Sequence, residues 1–234
     1  MNNNAFMSVK SQAAAQDRTI LKNVYLWMTA GLFLTAMVAR SFVGTALFYQ
    51  LMRNPMLMFG LIIGELVLVF RLSSRIMKMS VQSAVISFCV YAALNGINLS
   101  SIFLMYGLGT VYNAFFATAT MFGAISLYAV TTKRDLSGMS HYLMMGLIGL
   151  IAASLVNFFL RSSGLDYLIS YAGVILFTAL TAYDTQMIKN MSRNMSSRSN
   201  ENDFIKLSIM GALKLYLDFI NMFLFILRIM GRRN

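Results

Sequence analysis

Seven segments of the chain are each long and apolar enough to cross a bilayer, and they leave little sequence for anything else. A spanning helix needs about 20 mainly apolar residues, with a usual range of roughly 17 to 25. Segments 24–43, 56–72, 83–104, 110–131, 143–161 and 167–187 meet this readily, and 208–229 qualifies although it carries Lys214 and Asp218. Strand-like alternation is absent and the connections are short. The expected fold is all-α: a polytopic membrane protein of seven transmembrane helices. Composition agrees, with 58% hydrophobic and 12% charged residues, where ordinary soluble domains carry about 25% charged residues. The expected partner of this surface is the lipid bilayer.

Residues 1–22 (MNNNAFMSVKSQAAAQDRTILK) are polar and lack the apolar core of a cleavable signal peptide. They read as a short polar cytoplasmic tail, unstructured, ahead of a membrane domain over 23–234. The net charge of +11 comes from basic residues clustered between apolar segments, as in positive-inside loops. It is therefore not read as a nucleic-acid footprint. Twelve Lys and Arg residues fall in the tail and in the loops after the second, fourth and sixth spans, against three (Arg40, Arg53, Arg161) in the opposite loops. This places the N-terminus in the cytoplasm. Seven full spans then put the C-terminus, with Arg228, Arg232 and Arg233, on the far side, against the bias. A re-entrant last segment would remove the conflict, but residues 213–230 contain no Gly or Pro break. Seven spans is the expectation.

Carboxylates inside an apolar span cost about 2.5 to 3.5 kcal/mol at the helix centre unless they pair or line a cavity. Glu65, Asp184 and Asp218 are the three such residues. Asp184 lies five residues before Lys189, and Asp218 four residues after Lys214. If both lysines reach the same interface, the aspartates of consecutive, antiparallel helices sit at similar depth. Two carboxylates meeting in a weakly solvated site share a proton or hold a cation between them. Thr181 and Asn221, each three residues from an aspartate, lie on the same helical faces and could add oxygens to a calcium ion, which takes 6–8. The pair reads as a pH-sensitive latch first and a calcium site second. Asn95 and Asn98 suit interhelical hydrogen bonding. His141, the only histidine, is discounted as a ligand. No catalytic triad, metal-spaced His/Cys cluster or phosphate loop is present, so neither enzyme activity nor a cofactor is expected.

The segments "LTAYDTQMIK" (180–189) and "LKLYLDFINMFLFILRIMGRR" (213–233) resemble the two signature helices of the Bax inhibitor-1 family, and "GELVLVFRLSSR" (64–75) adds support. The resemblance implies a bacterial inner-membrane protein of seven helices, the last placed centrally, associated with pH-dependent calcium leak. It implies that Asp184 and Asp218 form the pH sensor and that a basic residue at the end of the second helix is linked to them. Arg71 and Arg75 compete for that role, with Arg75 nearer the helix end. Glu65 matches a carboxylate along the permeation path. The leading functional expectation is thus a proton-regulated calcium leak. The alternative is a non-conducting regulator of a membrane-bound protease or stress response, acting through protein contacts. A proton-coupled cation exchanger comes third, since inverted repeats and broken helices are not seen.

Overall fold

The computed structural model describes residues 3–195 and 200–231, with side chains described from residue 19 onward. The order of helices is α1 (Asn3–Phe42), α2 (Ala46–Arg53), α3 (Pro55–Arg75), α4 (Val81–Leu99), α5 (Ile102–Met105), α6 (Leu108–Thr131), α7 (Ser140–Leu160), α8 (Ser163–Asn194) and α9 (Glu201–Gly231), with 3-10 turns at Ile76–Lys78 and Ser137–Met139. No strand occurs among the described residues. Seven stretches are long and apolar enough to cross a membrane: Thr19–Phe42, Pro55–Lys78, Val81–Met105, Leu108–Thr131, Ser137–Leu160, Ser163–Asn194 and Glu201–Gly231.

These are the seven expected spans, with instructive differences at their edges. Helix α1 begins at Asn3, so the backbone of the expected unstructured tail is helical. Residues 3–18 contain neither Gly nor Pro and include Ala13, Ala14 and Ala15, the strongest helix former. The first loop contains α2, whose N-terminus is capped by the Thr45 side chain accepting from the Phe48 N–H at 3.2 Å. Asn54 then caps α3 by accepting from the Met56 N–H at 3.1 Å, with Pro55 in the first turn, where a missing N–H costs nothing. Helix α9 runs unbroken through 31 residues, about 46 Å at 1.5 Å per residue. It forms no re-entrant hairpin.

The chain divides into two compact units: Met1–Met105 with Ile188–Tyr216, and Tyr106–Met187 with Leu217–Asn234. In the first, α1 and α4 approach closely because small residues line the seam. A Cβ on Gly96 would lie 2.6 Å from the Thr35 carbonyl oxygen, and one on Gly31 2.7 Å from the Phe88 ring. The Thr35 hydroxyl contacts the carbonyls of Gly31 (2.9 Å) and Ala92 (2.8 Å) and the hydroxyl of Tyr216 (2.7 Å). Tyr216 is wholly buried, with Phe88 and Tyr91 edge-on to its ring.

In the second unit, α6 meets α9 through Phe115 and Phe122, both edge-on to Phe219 at 5.6 and 5.5 Å. Helix α8 meets α9 where Phe177 stacks on Phe225 at 6.0 Å. Gly173 makes room for that ring, since a Cβ there would lie 2.6 Å from it. At the start of α8, Asp166 pairs with Arg228 at 3.3 Å, and the Arg228 guanidinium lies 5.6 Å over the Phe225 ring.

Candidate ion site

The two contacts between α8 and α9 fix their direction. Asp166 meets Arg228, and further along α8 Phe177 meets Phe225, earlier on α9. The helices are therefore antiparallel. Counting from Phe177 and Phe225 sets the register: four residues on along α8 and four back along α9 come Thr181 and Asn221, and seven on and seven back come Asp184 and Asp218. Steps of four and seven keep to one face of a helix. One face of each helix therefore carries a ladder, with Phe177, Thr181 and Asp184 on α8 and Phe225, Asn221 and Asp218 on α9, each about 10 Å from first rung to last.

Both carboxylates are buried, Asp184 at 7% and Asp218 at 4% exposure. Thr181 is also buried, and its hydroxyl donates to the Phe177 carbonyl at 2.7 Å. Asn221 is half-buried and its amide donates to the Leu217 carbonyl at 2.8 Å. Thr181 spends its one hydrogen and Asn221 one of its two on its own helix, which leaves each side-chain oxygen as an acceptor. Among the described residues no cluster of three or more His, Cys, Asp and Glu side chains occurs. Two carboxylates with neutral oxygens suit an ion in transit more than a permanently held one, because calcium cages use more charge and more ligands.

Two hydroxyls of this unit escape sequence reading. Ser126 on α6 and Thr185 on α8 are buried, and neither side-chain oxygen has a hydrogen-bond partner among the described residues. Thr185 follows Asp184 directly. Ser126 lies between Phe122, which packs on the neighbour of Asp218, and Ala129, which shares a buried cluster with Ala182. A buried hydroxyl left unpaired costs about 1–3 kcal/mol. Both oxygens are therefore poised to accept a proton or cation contact.

Gln186 forms the second overlooked feature. Its side chain accepts from the Leu136 N–H at 2.6 Å and donates to the Arg134 carbonyl at 2.8 Å, tying the loop between α6 and α7 to α8 two residues past Asp184. In Gln186→Leu the buried Leu136 N–H loses its acceptor, at a cost of about 1–3 kcal/mol. Trypsin is expected to cut the variant after Lys133 or Arg134 several-fold faster than the wild type; equal cutting would show that the loop is held by other contacts. In the same loop, the Ser137 N–H donates to Asp135 at 2.9 Å. That backbone bond, with a further one from the Ser137 side chain, holds the exposed Asp135 carboxyl below the usual carboxylate range.

The remaining expected residues belong to the first unit. Glu65 on α3 is half-buried and accepts from the Asn98 amide on α4, with Asn95 as a second partner. The Asn95 amide donates to the Tyr91 hydroxyl at 3.3 Å. The acid is thus hydrogen-bonded across helices to amides. Arg71 and Arg75 are exposed near the end of α3.

The family model described as "Inhibitor of apoptosis-promoting Bax1" matches residues 17–234, covering both units and the whole ladder. The chain belongs to the Bax inhibitor-1 family. Inner membrane protein YbhL of Escherichia coli (strain K12) is 49% identical over 224 residues, 95% of each chain. An uncharacterized protein of Deinococcus radiodurans is 42% identical over 222 residues, 94% of this chain and 93% of that one. Protein RP147 of Rickettsia prowazekii, also uncharacterized, is 41% identical over 219 residues, 93% and 91% of the two chains. Family membership accords with seven apolar spans, and the chain is a multi-pass membrane protein of the Bax inhibitor-1 family.

Proposed function

We propose that the protein is a pH-sensitive calcium leak of the bacterial inner membrane, gated by Asp184 and Asp218. The observation that carries this reading is that two buried carboxylates lie on the faces of α8 and α9 that bear the Phe177–Phe225 contact. Where two such groups meet in a weakly solvated site, a proton or a calcium ion relieves their repulsion. The two ligands compete for the same oxygens, so calcium occupancy rises as protons leave. Thr181, Asn221, Ser126 and Thr185 supply neutral oxygens along the path. The basic residues beside α1 and after α3, α6 and α8 support a cytoplasmic N-terminus, which an unbroken α9 pairs with a periplasmic C-terminus. The name of the Escherichia coli relative supports the inner membrane.

The test is calcium entry into liposomes holding the purified protein, from pH 6 to pH 8. Entry above that of empty liposomes, varying with pH, is the expected result. Its absence at every pH would overturn the leak and favour the regulator acting through protein contacts. A narrower prediction concerns Thr185→Val, which removes an unpaired hydroxyl at nearly constant volume. Its melting temperature should be equal to or above that of wild type, because no hydrogen bond is lost. Its calcium entry should fall several-fold. Unchanged entry would remove Thr185 from the path.

A further inference from the structure

The α3 span is the least covered of the seven: 6% of its apolar window is buried, against 67% for α9. Its exposed side chains are not uniformly apolar. Leu66, Val67, Phe70, Arg71 and Arg75 line a shallow groove near the end of the helix. Leu66, Val67 and Phe70 are 61%, 62% and 80% exposed. Arg71 and Arg75, four residues apart, share one face and differ in height by about 6 Å. Among the described residues neither makes an ion pair. Nearby, Lys206 is already engaged, with Asp203 at 2.9 Å and the Met77 carbonyl at 3.1 Å.

We propose that this groove binds an anionic glycerophospholipid, its phosphate held by Arg71 and Arg75 and an acyl chain laid along Phe70, Val67 and Leu66. The order of chemistry along α3 matches the order along such a lipid. Pro55–Arg75 is 21 residues long, about 31 Å, which is the thickness of the hydrocarbon core. Arg75 therefore reaches headgroup level, Arg71 lies one turn inside it, and Leu66 lies about 13 Å deeper than Arg75. A planar guanidinium presents its donors in a fork that fits phosphate oxygens. Two of them one turn apart converge on a single headgroup. Free phosphate has no use for the apolar part, and a soluble acidic peptide could not reach it through the bilayer.

Vesicles of phosphatidylcholine with a minor share of phosphatidylglycerol test this, using the full chain. One or the other lipid carries a photoactivatable acyl chain, and labelled peptides are mapped by mass spectrometry. Labelling of residues 66–75 is normalised to that of 143–160, another exposed apolar stretch. Phosphatidylglycerol should label the α3 segment roughly 5- to 30-fold above phosphatidylcholine, the range expected from one or two basic residues at a membrane surface. R71Q/R75Q should bring the ratio close to one, and K133Q/R134Q should leave it unchanged. Equal labelling by the two lipids in the wild type would overturn the proposal without recourse to any variant. So would equal loss in K133Q/R134Q, which indicates diffuse charge, or abolition by millimolar inorganic phosphate, which indicates an anion site without a lipid.

Discussion

Asp184→Asn and Asp218→Asn should each give a calcium flux that no longer varies between pH 6 and pH 8, while the wild-type flux does. The reason is the proposed pairing. One carboxylate facing an amide has no like-charged neighbour, so the shared proton disappears together with the repulsion that holds it. A single titrating site changes its occupancy by at most about ten-fold per pH unit, which bounds the wild-type slope and sets the size of the loss. Both single variants should behave alike, because in the proposed gate the two carboxylates act as one site. Two other ionisable groups serve as controls. Asp135 is exposed, and its carboxyl lies below the usual range, so it keeps its charge throughout this window. His141 is exposed and lies at the start of α7, outside the ladder; His141→Gln should leave the profile intact. A wild-type profile in either aspartate variant would end the gating mechanism even if calcium still leaks.

The aspartates could be read from the sequence because an acid inside an apolar span stands out against every neighbour. The spans were legible for the same reason, and the structure moves their edges by a few residues to about two turns. Where reading stopped, local chemistry is the cause. Helix α2 lies in a connection too short to show a helical period, although Thr45 and Asn54–Pro55 carry its capping signals. The ends of α8 and α9 are polar enough to leave the bilayer and still helical, so hydropathy ended those segments early. Ser126 and Thr185 could not be singled out at all. Hydroxyl residues in helices usually bond back to a carbonyl one turn earlier, as Thr118 does to Ala114 and Thr181 to Phe177 at 2.7 Å. Nothing in the sequence marks the two that do not. Gln186 was likewise invisible, because its partners are backbone groups some fifty positions away.

One of the three charges that conflict with seven spans has a local account. Arg228 sits against Asp166 and over the face of Phe225. A guanidinium partnered by a carboxylate and a ring is cheaper to hold at a helix end than a lone one. A count of basic residues does not see such partners; Arg232 and Arg233, the other two charges at this end, lie outside the described residues. The same logic separates Arg228 from Arg71 and Arg75, which have apolar neighbours in the groove of α3 and are given a lipid partner here.

The largest stability effect is expected at Gly96. A methyl group there would sit 2.6 Å from the Thr35 carbonyl oxygen and 2.9 Å from the Val38 Cβ. Neither is the far end of a flexible side chain, so relief requires α1 and α4 to move apart. Such a shift would strain the contacts of the Thr35 hydroxyl with Ala92 and Tyr216. Overpacking of this kind costs about 1–3 kcal/mol, and strain on the buried hydroxyl contacts puts Gly96→Ala toward the upper end. For a chain of this size the upper end corresponds to a fall in melting temperature of about 6 to 12 °C. Gly123, within α6, has nothing within 4 Å of a built Cβ. Gly123→Ala should therefore be neutral or raise the melting temperature slightly, since alanine is the better helix former. Close approach, and not glycine's backbone freedom, is the property at stake, because both residues sit inside helices. If the two variants melt together, α1 and α4 do not approach at Gly96 as described, and the Thr35–Tyr216 contact falls with that seam.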